Sequence, residues 1–377
     1  MKSQPTVLIL DSRAGVGITV QVVQCLAAAG TFAVHLASPH RDSILRQSRW
    51  VKGFHFLEPC PEPAVGMDRL KAILRSVKPD VLLPVNVDQI DLLAKHGDEE
   101  LRRLTRLTEQ PSADMFRTAC SKTLLSAFME ERGIPHPRTV RFDPADPAIP
   151  SKLLSLRFPV ITKPTWGGGG SGMRVFDNHD GLIPYLEEKS TPQNQVIVQE
   201  YIRGYDLGSA AFCSGGEVLH LTMQRNMSAD QNSFRPSKGL RFFDDPKVRA
   251  VVEKLMGALK WSGIAQIDLR VDGETGDQFV LEINPRYWGS VLGSQRMGVN
   301  FPEIACRRAL GLPDPPVEYR KGKYITSFGY LLHLRDKVLG RASLESFTYA
   351  DSAFGEIIRD PIVRVVELIQ RLTKPRR

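Results

Sequence analysis

The stretch that most constrains this chain runs from Phe158 through Lys163 and Pro164 to Gly172. A short apolar run delivers a lysine and a proline stops it. Five of the six residues at 167–172 are then glycine. Such a loop accepts positive φ at almost any position and can set several backbone N–H groups around an anion. Lys163 adds a point charge where phosphates would sit. No Gly-Lys-Ser/Thr closes the loop into a helix, so it is not a Walker A loop. The reading is a lid over the phosphates of a nucleotide. A flexible hairpin linker is the alternative that the loop alone leaves open.

At 377 residues the chain has room for two or three domains and a substantial core. No run approaches the ~18 apolar residues of a membrane span, and the apolar run before Asp11 is too short for a signal-peptide core. Cys25, Cys60, Cys120, Cys213 and Cys306 are scattered and odd in number, which argues against a disulfide framework or a zinc site and for the cytoplasm. The formal net charge is +8. The basic residues are dispersed and not interleaved with aromatics, so a polyanionic small ligand is favoured over nucleic acid.

Thr6–Leu10 reads as a buried strand, followed by a helix that Gly30 ends, a second strand at 31–37, a helix at 67–77 and a strand at 79–85. This alternation predicts a parallel, Rossmann-like sheet. The Gly15-x-Gly17 pair does not extend to a dinucleotide fingerprint. Val20 stands at the third glycine position, and no acid ends the second strand. Ser121 is placed to cap a helix starting at Lys122, where the helix dipole disfavours a cation. Further on, 195–202 is a strand leading to Asp206, and 207–214 with 217–224 form a hairpin around Gly215-Gly216. A polar, poorly patterned segment spans 225–244, and Arg225 and Lys238 within it are candidates for holding substrate. A last helix at 362–372, with mixed apolar and basic faces, is expected to pack on its own domain, with a membrane or partner as the alternative.

Two strands at 264–271 and 278–284 carry the metal expectation. Period-2 alternation puts Asp268 on one face with Gln266 and Arg270, and Glu282 on one face with Asn284. Antiparallel pairing would bring Asp268, Glu282 and Asn284 together, a hard-oxygen set suited to Mg²⁺. Polar residues on an exposed sheet face are the plainer alternative. The apolar remainder of both strands and the adjacent Arg286 weigh against it.

Taken together, these motifs resemble the ATP-grasp superfamily, most closely its carboxylate–amine ligase and carbamoyl-phosphate-synthetase-like members. The resemblance rests on 161–164 with the glycine loop, on 199–206 as a hinge, and on 281–286 as a metal strand. It implies an α/β chain with an α+β lid and core, an ATP-grasp fold preceded by a Rossmann-like domain. The expected divisions are 1–114, then 115–315 (lid about 120–202, core about 203–315), then an extension at 316–377 of unassigned role.

By position the resemblance gives Lys122 and Lys163 to the phosphates of ATP, and Gly168, Gly169, Gly170 and Ser171 to the lid. It gives Glu200, Tyr201 and Ile202 to adenine, and Asp206 to ribose where glutamate is more usual. Asp268, Glu282 and Asn284 take Mg²⁺ or Mn²⁺. Arg286, with Lys163, acts on the reacting groups. The implied reaction activates a small-molecule carboxylate as an acyl phosphate and joins it to an amine. A phosphotransferase or a non-catalytic ATP-binding protein are the alternatives. No nucleic-acid partner is expected, and a homodimer is possible.

Overall fold

The computed structural model describes residues 4–12, 17–165, 172–191, 195–227, 239–340, 346–363, 365–366 and 369. Within them the first sheet is parallel. It comprises β1 (Thr6–Leu10), β2 (Ala33–Ser38), β3 (Val51–Phe56), β4 (Val81–Pro84) and β5 (Arg106–Leu107), in spatial order β3-β2-β1-β4-β5. The unbroken apolar run of β1 is explained by burial on both faces. Val7 and Ile9 enter one core with Val34, Leu36 and Leu83, while Leu8 and Leu10 enter another with Ala37 and Leu82. Gly30, in the left-handed region at φ 67°, closes the helix Ile18–Ala29 as the sequence predicts.

A four-stranded antiparallel sheet follows, of β6 (Thr139–Arg141), β7 (Val160–Pro164), β8 (Arg174–Phe176) and β9 (Val196–Glu200), ordered β6-β9-β7-β8. Val160, Phe176 and Val198 join Leu182 and Leu186 of the helix His179–Lys189 in a separate small core.

The largest sheet holds β10 (Gly204–Ser214), β11 (Glu217–Asn226), β12 (Gly239–Phe243), β13 (Gly263–Asp272), β14 (Gln278–Asn284) and β15 (Gly322–Ile325). Its order is β14-β13-β10-β11-β12-β15, all antiparallel. One face buries Leu207, Ala211, Ile267 and Leu269 against the helix Pro246–Ala258. The other face divides along β13. Ile264 enters the core shared with the first sheet, and Gln266, Asp268 and Arg270 continue the same row into a cleft.

The helix Ile18–Ala29 ties the first sheet to this one. Gln21 donates to the Gly289 carbonyl (2.6 Å) and accepts from the Leu292 amide (3.2 Å), and Asn300 donates to the Cys25 carbonyl (2.8 Å). The C-terminal segment also packs back on the chain. Val363 is buried in that shared core, and Ser48 donates to Asp360 at 2.5 Å. Among the described residues no helix is long and apolar enough to cross a membrane.

Among the elements that escape the sequence reading are β3, the helix Ser327–Val338, and β12. The last lies inside the stretch 225–244 read as irregular, and its pairing with β11 and β15 makes it a strand.

Candidate functional site

β13 and β14 pair antiparallel with Asp268 opposite Glu282 and Gln266 opposite Asn284. The expected trio therefore converges. Asn284 Nδ2 lies 3.2 Å from Asp268 Oδ2, 3.2 Å from Glu282 Oε1 and 3.0 Å from Gln266 Oε1. Gln266 Nε2 also donates to Asp268. Arg286 donates to Asn284 Oδ1 (3.2 Å) and to the Tyr287 carbonyl (2.8 Å), which fixes its guanidinium at the end of the strand. Enclosure and the facing Glu282 charge push the Asp268 carboxyl well above the usual carboxylate range.

This set fits a hard cation. Two carboxylates at hydrogen-bond range from one amide repel each other unless a proton or a metal intervenes, and all the donors are oxygens once Asn284 turns its Oδ1 inward. The Asn284 amide hydrogens stand between the two carboxylates.

Two lysines face this set. Ser121 caps the helix Lys122–Glu131 by accepting from the Leu124 amide, as the sequence predicts, which puts Lys122 at the first helical position. From there its Nζ reaches to 3.9 Å from Glu282 Oε2. That carboxylate offsets the unfavourable helix dipole. Lys163 projects from β7, buried, and donates to Gln199 Oε1 on the paired strand β9 at 2.7 Å. Burial pushes its ammonium down to about 8. Lys122 and Arg270 press in the same direction, while Glu282 and Asp206 oppose them. The charges of all four act on one buried amine, so four separate elements gather their ionic groups at one place.

The hinge is built around Arg270, a residue the sequence places on the Asp268 face without giving it a role. Its buried guanidinium donates to Asp206 Oδ1 (2.6 Å), the Tyr201 hydroxyl (2.9 Å), the Gly204 carbonyl (3.2 Å) and the Ile202 carbonyl, and lies 4.8 Å from the Tyr201 ring centroid. The Tyr201 amide is committed to the Pro159 carbonyl at 2.9 Å, whereas the Ile202 amide has no acceptor among the described residues. Glu200 is buried, and its Oε1 accepts from the Arg157 amide at 2.9 Å. Gln199 is the other residue that went without a role. It holds Lys163 with its oxygen and donates to Thr139 (2.8 Å) with its nitrogen.

Not every expected residue enters this group. Gly168, Gly169, Gly170, Ser171 and Lys238 lie outside the described residues. Arg225 pairs with Leu207 and Arg241, one residue out of the row that joins Asp268, Gly208 and Gln224. Side chains alternate between faces, so Arg225 belongs to the sheet face away from Asp268.

Comparison with known proteins bears on one part of the chain. Residues 119–290 match the family model described as the ATP-grasp domain. The chain carries an ATP-grasp domain. Over 256 residues it is 25% identical to the carbamoyl phosphate synthase large chain of Methanothermobacter thermautotrophicus. That stretch covers 64% of this chain and spans only 24% of the relative's length.

Solved structures share the fold. N5-carboxyaminoimidazole synthetase from Staphylococcus aureus superposes with a TM-score of 0.65 at 14% identity, covering 90% of this chain and 87% of that one. Biotin carboxylase from Campylobacter jejuni gives 0.63 at 18%, covering 84% and 74%. An L-amino acid ligase from Bacillus licheniformis gives 0.59 at 16%, covering 83% and 76%.

Proposed function

We propose that this ATP-grasp chain is an ATP-dependent ligase. A substrate carboxylate takes the γ-phosphoryl group of ATP to become an acyl phosphate, and an amine then displaces phosphate to give an amide. The observation that carries the reading is the meeting of Lys122 and Lys163 with the Asp268–Glu282 pair in one cleft. Two cations for phosphate oxygens and a hard-oxygen pair for a divalent ion suit a triphosphate. The names of the related proteins, which include an amino acid ligase and a carbamoyl phosphate synthase, support the ligase class.

Phosphoryl transfer asks a protein mainly to position groups and neutralise charge. In this reading Lys122 and Lys163 hold the phosphates, and the Gly168–Gly170 and Ser171 amides cover them. Glu200, Tyr201 and Ile202 border adenine, with the uncommitted Ile202 amide as the donor to the ring. Arg270 holds Asp206 for the ribose hydroxyls. Asp268, Glu282 and Asn284 would hold Mg²⁺ or Mn²⁺, which when bound supplies further charge neutralisation at the β- and γ-phosphates. Arg286, steadied by Asn284 and the Tyr287 carbonyl, forks onto the carboxylate or the acyl phosphate. Closure of the glycine loop keeps water from the acyl phosphate.

The test is ADP release measured across a panel of carboxylic acids, each with and without amines. Amide formation with one ADP released per amide supports the ligase. A stable phosphorylated product formed without any amine would instead make the chain a phosphotransferase.

A further inference from the structure

The C-terminal segment folds against the end of the helix Val291–Arg296 and leaves an open cavity of about 560 Å³, lined by none of the cleft residues above. Arg296, Arg320 and Arg359 line it with a single carboxylate, Glu356, and with Tyr349 and Ile358 at its edge.

These groups are held in place. Arg296 donates to the carbonyls of Ser352 and Ala350 (3.4 Å to the latter) and lies 3.8 Å from Glu356 Oε1. Arg359 reaches the same oxygen at 3.4 Å. Arg320 is fixed by its amide on the Met297 carbonyl (2.8 Å) and by its guanidinium on the Arg296 carbonyl (3.3 Å). It meets no carboxylate among the described residues.

Arg296 and Arg359 thus share one carboxylate and Arg320 stands beside them, which leaves an excess of two positive charges in the lining of one concavity. Each guanidinium carries five N–H donors in a planar fork, and the contacts above use few of them on Arg320 and Arg359. An oxyanion in the cavity would take the donors that these guanidiniums leave spare. A dianion with three equivalent oxygens matches both the charge and the donor count better than a carboxylate does. Tyr349 and Ile358, both more than half exposed, supply an apolar edge beside the charge.

We propose that this cavity is a second ligand site. It takes a phosphate monoester, whose phosphoryl group Arg320 and Arg359 hold with Arg296 behind them, while an apolar portion lies along Tyr349 and Ile358. The phosphoryl group comes from a soluble metabolite or from a lipid headgroup, and the chemistry of capture is the same. The inference uses no residue of the ATP-grasp cleft and does not depend on the ligase reading.

The test titrates the full chain with inorganic phosphate by calorimetry. It also measures co-sedimentation with phosphatidylcholine vesicles with and without phosphatidic acid. The double variant Arg320→Gln/Arg359→Gln removes two solvent-facing guanidiniums and leaves Arg296 with its backbone contacts. Lys163→Met disables phosphate binding in the cleft. Lys163→Met should still bind phosphate, and adding the double variant to it should weaken that binding at least tenfold at unchanged melting temperature.

If only the phosphatidic acid vesicles bind, and the double variant loses that binding, the site stands and the source is a headgroup. Phosphate binding that vanishes in Lys163→Met and persists in the double variant overturns the proposal. So does a wild-type chain that binds neither probe.

Discussion

Asp268 and Glu282 face each other across β13 and β14, and one Asn284 amide nitrogen lies 3.2 Å from an oxygen of each. Two facing carboxylates at this range repel each other when both are charged. Asp268 holds its proton more tightly folded than unfolded, so the metal-free chain loses stability as pH rises from the ordinary carboxylate range toward the raised value. Mg²⁺ should reverse that loss. At about 100 times its Kd it should add about 2.7 kcal/mol to the unfolding free energy. Asp268→Asn should melt higher than wild type without metal and respond little to it. Thermal melts with Mg²⁺ and with EDTA check both expectations, and an equal Mg²⁺ response in the two proteins contradicts them.

Lys163 gives a second handle on pH. Its ammonium is charged below about 8 in the free chain, and a phosphate ligand favours the charged form. Metal-free ADP affinity should therefore fall above that pH, by up to about tenfold per unit, as binding takes up a proton. Lys163→Arg keeps its charge throughout and should flatten the profile. Calorimetry in two buffers of different ionisation enthalpy detects the proton directly.

Arg270 ties the segment 201–206 to the strand that carries Asp268. Replacing it with lysine retains one charge but cannot serve Asp206, Tyr201, Gly204 and Ile202 together. Arg270→Lys should raise the KM for ATP by about tenfold, the cost of about 1.4 kcal/mol in lost positioning. Arg270→Met should also lower stability by about 2 kcal/mol, because the Ile202 and Gly204 carbonyls and the Tyr201 hydroxyl lose the donor they share. Steady-state kinetics and urea melts separate the two effects.

What the sequence discloses here is what local pattern controls. The both-face burial of β1, the Ser121 cap before Lys122, and the shared face of Glu282 and Asn284 all follow from neighbours within four residues. Even the Asp268–Glu282 pairing needs only two strands and the turn between them. Arg270 stood on the expected face, yet its role depends on Ile202 and Asp206, 68 and 64 residues away. β12 and the helix Ser327–Val338 were hidden for related reasons. The first is a strand through its pairing with β11 and β15, and the second lies beyond every motif that the resemblance covers. The polarity of its segment makes Arg225 a candidate, and the β11 register, which polarity does not encode, places it on the other face.

An acyl phosphate leaves its mark in the fate of one oxygen atom. A carboxylic acid active in the ADP-release screen is prepared with both carboxyl oxygens as ¹⁸O and turned over with ATP, Mg²⁺ and the amine. If the carboxylate attacks the γ-phosphoryl group and the amine then expels phosphate, one ¹⁸O must appear in each inorganic phosphate, resolved by ³¹P NMR. Amide formed with phosphate free of ¹⁸O would contradict the acyl phosphate and, with it, the central reading of this cleft.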